Sequence, residues 1–384
     1  MPEGLRAVCR QAHFQDIDAI QAAVHAESTP VFSEAFGAAS TRSIFDVASV
    51  TKLAATTMVA SVLHSRGSFS LSDSIATFLP DLRESHGGIQ VHHLLAHSSG
   101  LPAWQPFFQS ALAVSGAFPG PPTAEGMAEA RSRCLRAVMQ TKPLHRPGER
   151  RIYSDTGFIL LGEILAVVGG SPLDRLAEEL VFQPAGLTHT RYHRLGQPFT
   201  QERIIPTGTT RPRAPAPGQE GLFETLEQGP RLDPGEVDDD NAYALGGVAG
   251  HAGLFSTAED LSRLGALILE EINGANRFEA GASLRRFIEA DTGPSGPARG
   301  LGFDRIAPSG SSAGPRWGRG PRGGFGHLGF TGCALWIDAD HALSAALLTN
   351  RVLHGREHTA AIKALRPAFF DGVVEAQLSQ SWSG

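Results

Sequence analysis

Strand-like segments stand at the two ends of this chain, and the stretch between them reads mostly as helix and loop. Ala19 to His25 and Val31 to Phe36 flank the turn Ala26-Glu-Ser-Thr-Pro30. Ala334 to Asp338 and Leu343 to Thr349 flank an Ala-Asp-His turn. Short apolar or alternating runs bounded by turn residues are the signature of strands. Both ends are therefore expected to contribute to one sheet, with a helical insertion between them. The fold class is α+β: an antiparallel sheet flanked by helices, built from 1–71 and 291–384, with a helical part over 72–290, all within a single domain over 1–384. A ligand site is expected in the cleft between the two parts.

The middle carries the helical patterns. A helix headed by Ser49 presents Leu53, Met58, Val59, Val62 and Leu63 and stops at Gly67. Leu71 to Pro80 and Ile89 to Ala96 read as short helices, the second ending in the turn His97-Ser-Ser-Gly100-Leu-Pro102. Ala128 to Met139 and Thr156 to Val168 are longer ones. Thr207 to Asp240 and Pro308 to Gly326 read as long loops. The last helix, His358 to Ala376, is expected to be interrupted at Pro367.

Charge and cysteine content exclude several classes. The net charge is −6 and no basic block occurs, so nucleic acid is not an expected partner. Met1 to Arg10 lacks the apolar stretch of a signal peptide, and no run reaches the roughly 20 apolar residues of a membrane span. The expected setting is the cytoplasm, with no membrane partner. Cys9, Cys134 and Cys333 lack metal-like spacing and are expected as reduced thiols, Cys333 as a buried structural one.

Chemistry concentrates in three places. Lysine occurs only at 52, 142 and 363, and Lys52 follows Ser49 by three residues. Residues i and i+3 share a helix face, so the Ser49 hydroxyl and the Lys52 amine are expected side by side. A serine needs such a base, because its hydroxyl is a weak nucleophile at its own pKa. The helix N-terminus adds a positive end where negative charge develops in acyl transfer. Tyr153-Ser154-Asp155 sits between the Pro147-Gly148 turn and a helix, where a tyrosine reaches into a cleft and Ser154 or Asp155 is also a ready N-cap. Gly326-His327-Leu-Gly329-Phe330-Thr-Gly332 is a glycine-rich strand entry that lets backbone approach a ligand.

The ordered set Ser49-x-x-Lys52, Tyr153-x-Asp155, His327-x-Gly329 resembles the serine β-lactamase and penicillin-binding-protein superfamily. It is most similar to the class C β-lactamase-like branch, with its DD-peptidases, D-aminopeptidases and esterases. Leu94 to Pro102, Pro147-Gly-Glu and Gly246 to Leu261 resemble further stretches of that family, and the likeness runs from about residue 19 to 372. The resemblance implies a β-lactamase-like fold and a serine hydrolase working through an acyl-enzyme on esters or small amides, with a small-molecule substrate, no cofactor and no metal. It assigns Ser49 as nucleophile, Lys52 and Tyr153 as the proton-transfer pair, and Asp155 and His327 as orienting residues. The backbone N–H groups of Ser49 and Phe330, after Gly329, would form the oxyanion hole. Asp155 stands where class C enzymes carry Asn, and His327-Leu328 where the family carries Lys-Thr. With no fixed cation for a β-lactam carboxylate, weak or absent β-lactamase activity is expected. The N-terminal region is expected to be short for the family.

Two other readings compete. A non-catalytic descendant would bind a ligand or partner in the same cleft. A metal hydrolase would use His93 and His97, spaced i and i+4, with His92 and His251, but the glutamate of His-Glu-x-x-His is missing. Asp238-Asp-Asp240-Asn241 fits a cleft lining or a solvated acidic loop, and the solvated loop is expected. Trp104, Phe107 and Phe108 fit a substrate wall or core equally well.

Overall fold

The computed structural model describes residues 3–13, 17–112, 114–117, 122–197, 203–208, 234–290, 299–380 and 382. Its two ends do meet in one sheet. The order is β2 (Thr29–Gly37), β1 (Ala19–Ala26), β9 (Leu343–Thr349), β8 (Ala334–Asp338), β7 (Gly324–Leu328) and β6 (Asp304–Arg305), every neighbouring pair antiparallel. The join between the chain ends is the β1–β9 pair, from Ile20 against Thr349 to Ala26 against Leu343. A smaller sheet, β3 (Phe45–Asp46), β5 (Leu254–Ser256) and β4 (Arg191–Tyr192), was not apparent in the sequence. Its strands are two or three residues long, too short to show a period.

Alternation along the central strands feeds two cores. Ile20, Ala22, Val24, Trp336, Ala345 and Leu347 face the terminal helices Glu3–His13 and Ala360–Leu378, whose Leu5, Cys9, Phe369, Phe370 and Val373 cover them. Ala19, Ala23, Leu335, Ile337, Ala346 and Leu348 face the other way, into the core shared with the helix Ala258–Ile272 and with Leu53, Met58 and Val62. Each large apolar side chain so buried contributes about 1.5–3 kcal/mol. Ala258–Ile272 falls inside the stretch read as the inserted helical part, yet it lies directly on β1, β8 and β9. It approaches so closely that a Cβ at Gly265 would sit 2.0 Å from the Ser344 hydroxyl.

Several helices follow the sequence reading closely. Ala124–Gln140 and Asp155–Gly169 enclose the two long helical runs, capped by Thr123 and Ser154. The Ser49 helix begins as a turn, passes through a π-helical stretch at Lys52–Thr57 and continues as Met58–Ser65, with Gly67 left-handed beyond it at φ 71°. Single π turns inside helices are frequent at functional sites. The final helix differs from expectation: Ala360–Leu378 runs unbroken through Pro367. Proline removes one N–H, but Phe369 and Phe370 are fully buried, with Phe370 edge-on to Trp317, and this packing holds the helix together. The helix Glu3–His13 was not anticipated. Of the long loop expected over Thr207 to Asp240, residues 209–233 lie outside the described residues. No single helix among the described residues is long and apolar enough to cross a membrane.

Candidate active site

Ser49 is delivered by a sharp turn between β3 and its helix. The buried Asp46 carboxylate accepts the Ala48 N–H at 2.8 Å and the Asp238 N–H at 2.7 Å. Ala48 is left-handed at φ 46°, an uncommon conformation for a residue with a Cβ. Lys52 follows three residues on, its side chain fully buried. Its ammonium donates to the Ser49 Oγ at 2.9 Å and the His251 carbonyl at 3.0 Å, and pairs with Asp155 Oδ1 at 2.7 Å. Burial alone would pull this lysine down, but the Asp155 carboxylate and the Tyr153 hydroxyl outweigh it and hold Lys52 above its ordinary value. The resting group is an ammonium with its donors engaged.

Tyr153 packs in a row of rings. His97 lies against it at 4.5 Å between centroids and stacks on Phe158 at 4.9 Å on the other side. His97 is itself fixed at φ 55°, with Nδ1 accepting the Ser154 N–H at 2.9 Å and its carbonyl accepting the Ile152 N–H at 2.8 Å. The Tyr153 ring lies beside the Lys52 ammonium, 4.9 Å from Nζ to the ring centre. Burial pushes this phenol up, Lys52 draws it back and Asp155 pushes it up again, so it rests protonated. The Arg299 guanidinium stands 5.0 Å from the ring centre.

The third motif comes from β7. His327 Nδ1 donates to the Leu328 carbonyl at 2.8 Å, which leaves Nε2 as the bare nitrogen, buried and without a partner. Burial drives this imidazole down to about 4, so it is neutral. The strand then enters the turn Gly329–Gly332, closed by Gly329 N–H to the Cys333 carbonyl at 2.7 Å and Gly332 N–H to the Gly329 carbonyl at 3.1 Å. Among the described residues, neither the Ser49 nor the Phe330 N–H meets a protein acceptor. The Phe330 side chain is 40 % exposed, an apolar shelf with Arg351 and Arg356 beside its ring.

All seven residues singled out from the sequence (Ser49, Lys52, Tyr153, Asp155, His327, Gly329 and Phe330) are thus in one place, although Lys52 lies just behind the surface. The other six line a cavity of about 450 Å³. Trp104 joins that lining, whereas Phe107 and Phe108 are core. The acidic run at 238–240 departs from the expected solvated loop: Asp238 and Asp240 are buried, Asp239 is half-buried, and all three line the cavity. Asp238 pairs with Arg356 at 3.0 Å, and Asp239 pairs with His251 at 2.8 Å while capping a short helix, Asp240–Ala244. His93 accepts the Gln90 N–H and His97 the Ser154 N–H, so each has its own local task. Cys333 is a buried thiol, pushed up to about 11 by burial.

Arg299 was missed as part of the site, and sequence reasoning raises His97 and His251 for it only as metal ligands and Asp239 chiefly as solvated loop. They lie on turns and loops distant in sequence, and only the Gly100-Leu-Pro and Gly-His-Ala-Gly signals marked two of them.

Residues 6–368 match the family model described as Beta-lactamase. The putative D-alanyl-D-alanine carboxypeptidase of Escherichia coli K12 is 30% identical over 326 residues, 82% of this chain and 70% of the relative. The N-acetylmuramyl-L-alanine amidase of Bacillus subtilis is 31% identical over 351 residues, 86% and 72% of the two chains. In structure, the octameric penicillin-binding protein homologue from Pyrococcus abyssi covers 99% of this chain and 78% of its own at a TM-score of 0.69 and 18% identity. EstCE1, described as a hydrolase with promiscuous acyltransferase activity, covers 96% and 98% at a TM-score of 0.68 and 20% identity, a likeness of fold alone.

Proposed function

Because this chain belongs to the β-lactamase family, we propose that it is a serine hydrolase that cleaves small amides or esters through an acyl-enzyme on Ser49. The observation that carries this reading is the 2.9 Å contact from the Lys52 amine to the Ser49 hydroxyl, inside a closed group with Tyr153 and Asp155. Reaction starts from the form in which the Lys52 ammonium has given up a proton: Ser49 Oγ attacks the substrate carbonyl carbon and its proton passes to the freed Lys52 amine, with Tyr153 and Asp155 orienting that amine. The tetrahedral oxyanion meets the Ser49 and Phe330 N–H groups. Such donors lower the barrier by about 2.7–4 kcal/mol each. Collapse expels the amine or alcohol, which takes back the stored proton. Water then repeats the sequence on the acyl-enzyme and frees Ser49.

The carboxypeptidase and the amidase that this chain resembles are both named for cleaving amides, which favours amides as natural substrates. The neutral His327 argues against strong β-lactam turnover, since it offers no cation to the drug's carboxylate. The test compares p-nitrophenyl butyrate hydrolysis by the parent and by Ser49→Ala, with nitrocefin alongside and a fluorophosphonate probe read by mass spectrometry. Turnover that vanishes with Ser49→Ala, together with a probe adduct on Ser49, is the expected result. A folded parent that takes no adduct and turns over neither substrate would favour a binding protein instead.

A further inference from the structure

The turn that presents the Phe330 N–H is gripped by one cation, which also lines the cavity. Arg366, on the Ala360–Leu378 helix, donates through Nη2 to the Gly329 carbonyl at 2.8 Å and the Cys333 carbonyl at 2.9 Å, and through Nε to the Gly332 carbonyl at 3.2 Å. Among the described residues its hydrogen-bond partners are these carbonyls, and no carboxylate pairs with it. A buried arginine ordinarily sits with an anion, because desolvating a guanidinium is costly. Here that cost is offset only by backbone dipoles, all three of them in one turn.

The choice of carbonyls matters. The Gly329 oxygen and the Phe330 N–H are the two ends of the same peptide unit. A cation on the oxygen draws electron density through the amide and makes the N–H at the other end a stronger donor, as coupled hydrogen bonds do in a low-dielectric interior. The turn has no freedom to swing away. Thr331 Oγ1 donates to the Asp46 carbonyl at 2.9 Å, Thr349 Oγ1 donates to the Thr331 carbonyl at 3.0 Å, and Gly332 adopts φ 102°, where a Cβ would strike the Thr349 hydroxyl. The turn is therefore tied to the Asp46 end of the Ser49 turn on one side and to Arg366 on the other.

We propose that Arg366 is a positioning residue for catalysis: it orients and polarises the Gly329–Phe330 peptide so that the Phe330 N–H stabilises the oxyanion. This rests on the proposed acyl-enzyme reading. It assigns Arg366 no contact with substrate; the residue acts through the peptide it holds.

The test is steady-state hydrolysis of p-nitrophenyl butyrate by the parent, Arg366→Gln and Arg366→Lys, with thermal unfolding as a check on folding. Fluorophosphonate labelling of the parent at Ser49 is established first; if that fails, the acyl-enzyme reading falls, and Arg366 falls with it. With the parent labelled, the glutamine variant keeps a donor but removes the charge, and is expected to lose about tenfold to thirtyfold in kcat with KM within twofold, a fraction of what deleting an oxyanion donor costs. The lysine variant is expected to recover part of that loss. A folded Arg366→Gln with parental kcat overturns the proposal, as does a KM that rises in step with the fall in kcat, or a lysine variant no better than glutamine. Should the glutamine variant fail to fold, Arg366→Lys decides alone. A lysine ammonium lacks the planar fork whose Nη2 and Nε reach the three carbonyls from two points, so kcat is expected to fall by about threefold or more at unchanged KM, and a parental kcat overturns the proposal.

Discussion

The Lys52 ammonium and the Asp155 carboxylate meet at 2.7 Å at the base of the cavity, and Asp155 is the residue that the class C pattern would fill with Asn. The carboxylate does what a neutral amide would not: it offsets the burial that would otherwise neutralise Lys52. The Lys52–Asp155 pair consequently keeps its proton on lysine.

Asp155→Asn is therefore expected to change the pH dependence of catalysis. Without the carboxylate, burial pulls Lys52 down, and the limb of kcat/KM that rises as this amine deprotonates moves to lower pH. The measurement is the kcat/KM profile of both proteins on one ester. Superimposable profiles would mean that Asp155 does not govern the lysine.

Gly329→Ala tests the placement of the oxyanion turn. A Cβ at 329 would lie 2.4 Å from the Val47 carbonyl, which is backbone and cannot rotate away. Val47 is held in turn by its N–H bond to the Leu254 carbonyl at 3.1 Å. The turn must shift relative to Ser49, and kcat is expected to fall by about a hundredfold or more, the cost of losing an oxyanion donor. A variant with kcat within threefold of the parent would rule out a tight fit at this point.

His327→Lys addresses specificity. The neutral imidazole gives an anionic substrate no Coulombic attraction, whereas an ammonium at the same place does. Nitrocefin kcat/KM is expected to rise by about tenfold, with butyrate ester hydrolysis unchanged or lower; that corresponds to about 1.4 kcal/mol after the cost of burying the new charge. If nitrocefin turnover does not rise in a folded variant, the cavity does not bring a drug carboxylate to residue 327.

Stability should depend on pH through His97. Burial foremost holds its folded value well below the ordinary 6.5, at which the unfolded chain titrates. Below that value the unfolded chain takes up a proton that the folded protein refuses. The stability from this residue is therefore complete above about pH 7 and is lost as pH falls from about 6.5. Asp46, raised to about 7 by burial, works in the opposite direction over the same window, so the parent alone is a poor readout. His97→Asn keeps an acceptor for the Ser154 N–H and tolerates the left-handed backbone. Urea unfolding at pH 7 and pH 5 should show the parent losing about 2 kcal/mol more than the variant. Equal losses would place the His97 titration elsewhere.

The sequence disclosed those parts of the site whose geometry is local. Ser49 and Lys52 share a helix turn, Tyr153 and Asp155 share a helix entry, and His327 to Phe330 follow one strand, so spacing and motif were enough to find them. The strands Ala334–Asp338 and Leu343–Thr349 were legible to the residue, because both are buried apolar runs between clear turn signals. What escaped depends on tertiary contact. Nothing near residue 239 announces His251 as its partner, and an acidic run ordinarily faces water. Arg366 sits on a helix and carries no motif; its role emerges only when the helix is laid across the β7–β8 turn. Pro367 misled for a related reason, since packing of the neighbouring phenylalanines overrides its local preference.

The pairing of β1 with β9 has a further consequence for how such a protein is made. Ser49, Lys52 and Tyr153 leave the ribosome long before His327, Phe330 and Arg366, and the strands that unite the two groups are among the most widely separated in the chain. Contacts of such long range form late and slowly. A nascent chain that already displays Ser49 thus lacks the Phe330 N–H of the proposed oxyanion hole. On the proposed reading, the full site is assembled only with completion of the sheet.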